Sequence, residues 1–320
     1  MGRHSVHGRA VPAFLALFQT SFRTRGLTSR LPQWCALAVV ALVDAIWAWR
    51  SGFHIIVTFG DFALPAGIVA LAVAFHLFRQ GKAALMTEYL ALTLSMALAF
   101  TVLAYLCLAA SGPLADAQLL AADRALGFDW LAGFHFLERH PLLFWVMERL
   151  YVSLDFQALY LCLFLGLLGR EGALREVFWI VFVAALMTDV TAIAMPAYGP
   201  FAVFGLSAHG GFLPDMMRVK SGHHLDFALA KMTGVISFPS FHTVMALAYA
   251  YAMRKTGLVG YLIAAVNFAM LFSIPFFGGH YLVDMIAGAA VVVLAAAIVK
   301  SVTMLASARG EFSPVLQSAS

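Results

Sequence analysis

Eight apolar stretches, most of them long enough to cross a membrane as a helix, leave this chain few folds to choose from. They cover residues 33–50, 55–78, 84–110, 149–168, 174–195, 238–253, 257–276 and 280–303. About 20 such residues span the hydrocarbon core of a bilayer, and in lipid the backbone must satisfy its own N–H and C=O groups, which a helix does within one segment. The composition agrees. Residues are 62% hydrophobic and only 11% charged, with a mean hydropathy of +0.89, whereas a soluble domain is about half apolar and a quarter charged. The expected fold class is an all-α integral membrane protein of about eight transmembrane helices. The sixth stretch is short and is expected to start below the membrane surface. Between the third and fourth lies a less apolar segment, 112–148, whose Pro113, Asp116, Asp123, Gly127 and Asp129 suggest helices lying along the interface.

This pattern divides the chain into an N-terminal part with three spans (1–110), a helical domain (111–303) and a polar tail (304–320). The basic N-terminus leads into an apolar run at 10–18 that contains Pro12 and ends in Gln19. No small-residue cleavage site follows, so an interfacial helix is expected there, not a cleaved signal peptide. Cys35, Cys107 and Cys162 lie in apolar runs without metal-type spacing and read as inert buried thiols.

Lysine and arginine placement orients the spans. With both termini on one face, thirteen of the twenty fall on that face, including Arg79, Lys82, Arg170, Arg175, Arg254 and Lys255 in its short loops. The other seven, among them Arg124, Arg149, Arg218 and Lys220, fall opposite. The positive-inside rule then places both termini in the cytoplasm. No basic stripe with interleaved aromatics is present, which argues against nucleic-acid binding.

Two segments on the opposite face carry chemistry: Ser237-Phe238-Pro239-Ser240-Phe241-His242 and Gly278-Gly279-His280-Tyr281-Leu282-Val283-Asp284. One apolar hairpin separates them, so their histidines surface on the same side. Pro239 suits the first turn of the sixth span, and Ser237 is placed to cap it. Ser240 and His242 follow in a turn whose free N–H groups attract anions, and His280 opens the eighth span in the same setting. Asp284 is one helical turn beyond His280, and helical side chains lean toward the N-terminus, so its carboxylate is expected to meet the His280 ring. A carboxylate on one ring nitrogen fixes the tautomer and leaves the other free to attack, while His242 is placed to give a proton to the departing oxygen. Helix N-termini, the Ser240 hydroxyl and a nearby cation would stabilise a transferring phosphoryl group without a metal or other cofactor.

Pro239-Ser240-Phe241-His242 and Gly279-His280-Tyr281-Leu282-Val283-Asp284 resemble the second and third signature motifs of the type 2 phosphatidic acid phosphatase superfamily. The Phe between Ser240 and His242 and the Gly-His-Tyr lead are closer to its inositol phosphorylceramide synthase branch. So are Asp123-Arg124-Ala125-Leu126-Gly127-Phe128-Asp129-Trp130 and Pro196-Ala197-Tyr198-Gly199-Pro200. The resemblance spans roughly residues 110–303. It implies that His280 is the nucleophile that becomes a phosphohistidine, Asp284 its orienting acid and His242 the general acid. The lysine–arginine–proline first motif of the phosphatases has no counterpart here, and Ile274 stands where they carry an arginine before the nucleophile. Arg218 and Lys220, in the loop 196–236, are the first candidates to replace those cations, with Arg124 and Arg149 behind them.

Asp155 and Asp189 lie near the same face and are candidates to line a headgroup site, whereas Asp44 and Glu88 are expected to bond between helices or stay protonated. Trp130, Trp145 and Tyr151 read as interfacial anchors. His209, His223 and His224 crowd one loop without zinc-type spacing. The leading expectation is an enzyme moving a phosphate-containing group from a phospholipid to a lipid hydroxyl or to water, in a multi-pass cell membrane of the bacterial inner-membrane kind, with the site facing the periplasm or a lumen. Two alternatives remain: a metal-dependent hydrolase using His242, His280 and Asp284 as ligands, and a non-catalytic lipid-binding or transport protein.

Overall fold

The computed structural model describes residues 30–222 and 225–306. The expected interfacial helix at 10–18, the basic residues before Arg30, His223, His224 and the tail from Ser307 lie outside the described residues. In chain order the helices are α1 (Leu31–Ser51), α2 (Phe59–Leu77), α3 (Gly81–Ala109), α4 (Asp116–Ala125), α5 (Trp130–Glu138), α6 (Pro141–Leu167), α7 (Glu171–Ala194), α8 (Pro200–Val203), α9 (Leu213–Ser221), α10 (Phe241–Met253), α11 (Leu258–Leu271), α12 (Ile274–Phe277) and α13 (Leu282–Ala306). The protein is an all-α membrane protein. Six helices, α1, α2, α3, α6, α7 and α13, are long and apolar enough to cross a bilayer.

The sixth and seventh candidate spans are shorter than expected, because Ser240 caps one end of the hairpin, a Thr256-Gly257 turn breaks its middle and Pro275 follows its exit. α10 and α11 have 13 and 14 residues, about 20 Å each at 1.5 Å per residue. Their turn nevertheless reaches the far end of the bundle. There Arg254 pairs with Glu176 near the start of α7 at 2.9 Å, Tyr251 donates to the same carboxylate at 2.8 Å, and Lys300 near the end of α13 lies 5.1 Å from the Tyr251 ring. The deficit in length therefore falls at the other end, where α10 begins, and both histidine motifs still sit at one end of the bundle.

α7 is the most enclosed span and packs against α3, α6, α10 and α13. Phe178, Trp179, Phe182 and Phe100 interlock along it. At the end away from the motifs, Glu88 on α3 meets Arg30 at 3.2 Å and His76 on α2 at 3.1 Å, and Arg30 also reaches Glu171 at 3.5 Å. Glu88 thus bonds between helices, as its position suggested. Asp44 does not: among the described residues both of its buried oxygens lack a hydrogen-bond partner.

At the motif end the long connection 196–236 folds into a second apolar core with α5 and the end of α3. Two strands unforeseen in the sequence, β1 (His54–Ile56) and β2 (Asp226–Ala228), pair in parallel with His54 opposite Asp226. Beneath them Phe227 stacks on Phe53 at 5.0 Å and meets the edge of Tyr105. Trp130, expected as an interfacial anchor, is instead buried here. It stacks on Phe134 and Phe204, and its indole N–H donates to the Pro275 carbonyl at 2.9 Å.

Candidate active site

The helix behind the first motif begins three residues later than a Ser237 cap would start it. Ser240 has extended backbone angles and is itself the N-cap of α10, its hydroxyl accepting from the Thr243 amide at 3.4 Å. Ser237 is thereby released from capping and turns inward. Its hydroxyl donates to Asp284 Oδ2 at 3.1 Å, and its carbonyl faces the second motif. The Ser240 amide donates to the Asp284 carbonyl at 2.9 Å, so a main-chain bond clamps the two motif loops together.

That clamp fixes the chemistry of His280. Its Nδ1 lies 2.9 Å from the Ser237 carbonyl and 3.4 Å from Asp284 Oδ2. A carbonyl only accepts, so Nδ1 carries the proton and Nε2 keeps its lone pair. The expected approach of Asp284 is present, but the carbonyl is the nearer partner. Asp284, fully buried, also receives the Tyr281 amide at 2.8 Å. His280 lies ahead of α13 and is only 2% exposed; loss of hydration pushes its imidazole down to about 4 against the opposing pull of the Ser237 carbonyl. Near neutral pH it is therefore an uncharged imidazole with one free nitrogen, the form a nucleophile needs.

His242, the second residue of α10, brings its ring to 5.7 Å from that of His280, edge to face. The hydroxyl of Tyr151 on α6 lies 2.8 Å from His242 Nε2, and the two rings stack at 4.9 Å. Tyr151 is thus part of this cluster and not merely an interfacial anchor. No signal in the sequence separates it from the other aromatics of α6.

The start of α13 is not an open anion site. Its Leu282 and Val283 amides both donate to Asp123 of α4, at 2.9 Å each, and the Tyr281 amide is taken by Asp284. The first-turn donors expected to face a phosphate are occupied, and a carboxylate sits over them. Burial raises the Asp123 carboxyl above its ordinary range while the two amides oppose the rise. Asp116, the first residue of α4, accepts from the Tyr198 and Gly199 amides at 3.0 and 2.8 Å and from the Tyr281 hydroxyl at 3.0 Å. Gly199 has a positive φ of 87°, and a side chain there would collide with the Gly279 carbonyl. The two acidic residues of α4 and the Pro196–Pro200 turn therefore brace the loop that carries His280.

His242, His280, Asp284 and Ser240 come together, with Ser240 fully buried as a cap. The proposed cations are engaged elsewhere. Arg218 pairs with Asp215 at 3.2 Å and lies 3.9 Å over the Phe227 ring. Lys220 donates to the Ser111 and Gly112 carbonyls at 2.9 and 2.8 Å, and partial burial lowers its ammonium from the usual value. Arg149 pairs with Glu148 at 2.7 Å, whereas Arg124, next to Asp123, has an exposed side chain. Asp155 is exposed on α6 one turn beyond Tyr151, and Asp189 is buried in α7. Ile274 is fully buried in α12. His209 packs edge-on against Phe134 at 5.2 Å. Among the described residues no three His, Cys, Asp or Glu side chains are grouped to hold a metal ion.

The PAP2 superfamily matches residues 117–298, more than half of the chain and all of the residues just described from Asp123 to Asp284. No curated protein and no solved structure gives a significant match to the chain.

Proposed function

Since the chain belongs to the PAP2 superfamily, whose members are phosphatases and phosphotransferases acting on phosphate-containing lipids, we propose that it transfers a phosphate-containing group from a phospholipid to a lipid hydroxyl through a phosphohistidine at His280. The observation that carries this reading is the locked tautomer of His280, Nδ1–H on the Ser237 carbonyl with Asp284 behind it. Nε2 attacks phosphorus, the N–P bond forms, and the P–O bond to the departing alkoxide breaks as that oxygen takes a proton from the side of His242. The ring becomes cationic, and the carbonyl and Asp284 stabilise it. The acceptor hydroxyl then attacks phosphorus, its proton returns toward His242, and the N–P bond breaks.

The near-complete burial of His280 and Asp284 favours a lipid hydroxyl over water, because a closed site suppresses hydrolysis of the intermediate. The motif resemblance to inositol phosphorylceramide synthases points to inositol phosphate, taken from phosphatidylinositol, as the group moved. Positive charge along the chain supports cytoplasmic termini and a site on the opposite face.

The test is to incubate the purified protein with phosphatidylinositol, phosphatidic acid or an isoprenyl pyrophosphate, with and without ceramide or diacylglycerol. The expected product is a phosphorylated acceptor lipid that requires the added hydroxyl. Release of free phosphate or inositol phosphate regardless of acceptor would make the protein a lipid phosphatase instead. Impermeant labelling of a cysteine placed in 205–222 should succeed in intact cells; protection there would reverse the orientation.

A further inference from the structure

The general acid of the proposed mechanism does not face open space. The outer ring nitrogen of His242, Nε2, is met at 2.8 Å by the Tyr151 hydroxyl, and the two rings stack at 4.9 Å with their planes 27° apart. A proton exchanged at Nε2 therefore passes first to or from the phenol oxygen. The same tyrosine also borders the nucleophile. A side chain at Gly278 would stand 2.7 Å from His280 Cδ2, the atom bonded to Nε2, and 3.2 Å from Tyr151 Cε2. Its absence leaves room for both rings to border the same gap, Tyr151 with the carbon next to its hydroxyl-bearing one and His280 with the carbon next to Nε2. The phenol thus touches the acid with its hydroxyl, and the ring edge beside that hydroxyl faces the His280 ring across the Gly278 gap.

Resting on the function proposed above, we infer that Tyr151 is a catalytic residue that relays the proton between His242 and the substrate oxygen. Burial and the neighbouring His280 disfavour a charged His242, and the anionic phosphate of a bound lipid favours it. When the P–O bond breaks, the departing alkoxide takes the Tyr151 hydroxyl proton as the phenol oxygen takes the Nε2 proton of that His242 imidazolium. The phenol is neutral before and after, and His242 ends neutral. In the second half-reaction the acceptor O–H gives its proton to the phenol oxygen while the phenol O–H passes to Nε2, which restores the imidazolium. No further reactant is needed.

In the first half-reaction the relay matters only when the departing oxygen needs a proton. The second half-reaction uses it whatever the donor, so the test reads the first half-reaction alone. Tyr151→Phe keeps the ring and its stacking and removes only the hydroxyl. It is to be compared with wild type and His280→Ala on two probes: phosphatidylinositol or phosphatidic acid, which release an alkoxide, and dodecyl 4-nitrophenyl phosphate, which releases a stable phenolate. The expected result, read as the first-turnover release of diacylglycerol or nitrophenolate, is a rate loss of about 100-fold or more for Tyr151→Phe on the glycerolipid, in the range of a lost general acid, little change in the nitrophenolate burst, and no release from either by His280→Ala. Equal losses on both probes would make Tyr151 a packing residue and overturn the relay, as would unchanged turnover on both. Wild-type protein that consumes neither probe, or His280→Ala that still does, would overturn the histidine mechanism itself, a separate outcome.

Discussion

The Ser237 carbonyl accepts the Nδ1 proton of His280 across 2.9 Å and so decides which nitrogen of that ring can attack. A main-chain atom does here what a carboxylate is usually invoked to do. Asp284, at 3.4 Å from the same nitrogen, is left to counter the charge that develops after attack. It also ties the two motif loops together through the Ser237 hydroxyl and the Tyr281 amide.

This division of labour makes Asp284→Asn informative. The Ser237 carbonyl still holds the tautomer, but the negative charge behind the ring is gone. Turnover should fall toward the low end of the roughly 10²–10⁴-fold range seen when a catalytic imidazole loses its acid. A steady-state comparison of kcat with wild type checks this; unchanged kcat would remove Asp284 from the mechanism.

Asp123→Ala should loosen the His280 loop from the opposite side. It leaves the part-buried Leu282 and Val283 amides without those acceptors, at a cost of up to about 1–3 kcal/mol each where water does not replace them. Thermal unfolding in detergent should show a clear drop in Tm, and Asp123→Asn, which keeps one acceptor oxygen, should recover part of it. Equal Tm for the alanine variant and wild type would show that water satisfies those amides.

Acidity should weaken the fold before it silences the nucleophile. The His280 imidazole protonates near 4 when folded and near 6.5 when exposed. Between those values the unfolded chain holds the extra proton, so this residue's contribution lowers stability as pH falls from about 6.5 to 4. Above pH 6.5 it contributes no pH dependence. Wild type should lose more Tm than His280→Ala over that window; parallel pH profiles would contradict the shift.

The residues that cluster at the candidate site were legible because each stands at a helix start beside Pro, Ser or Gly, and because Asp284 follows His280 by one helical turn. The membrane fold was legible in the apolar runs. What escaped the sequence was everything joined across long separations. Tyr151 meets His242 over 91 residues, Ser237 meets Asp284 over 47, and Asp123 meets Leu282 over 159. Local periodicity carries no signal for such pairs. The same limit explains the misplaced anion site: helix geometry predicts free amides at the start of α13, and only the tertiary fold brings Asp123 over them. Arg218 and Lys220 were chosen for their charge and loop position, and packing has given that charge to Asp215, the Phe227 ring and the Ser111–Gly112 carbonyls.

The central claim is a covalent phosphohistidine on one nitrogen of one residue. Brief incubation of the purified protein with phospholipid carrying radiolabelled phosphorus, followed by a denaturing quench, should trap label on the protein. The account predicts a label stable in alkali, labile in acid, absent from His280→Ala and chased by an acceptor lipid. Turnover without trapped label in a quench series that resolves the first cycle, or label that persists in His280→Ala, would contradict it.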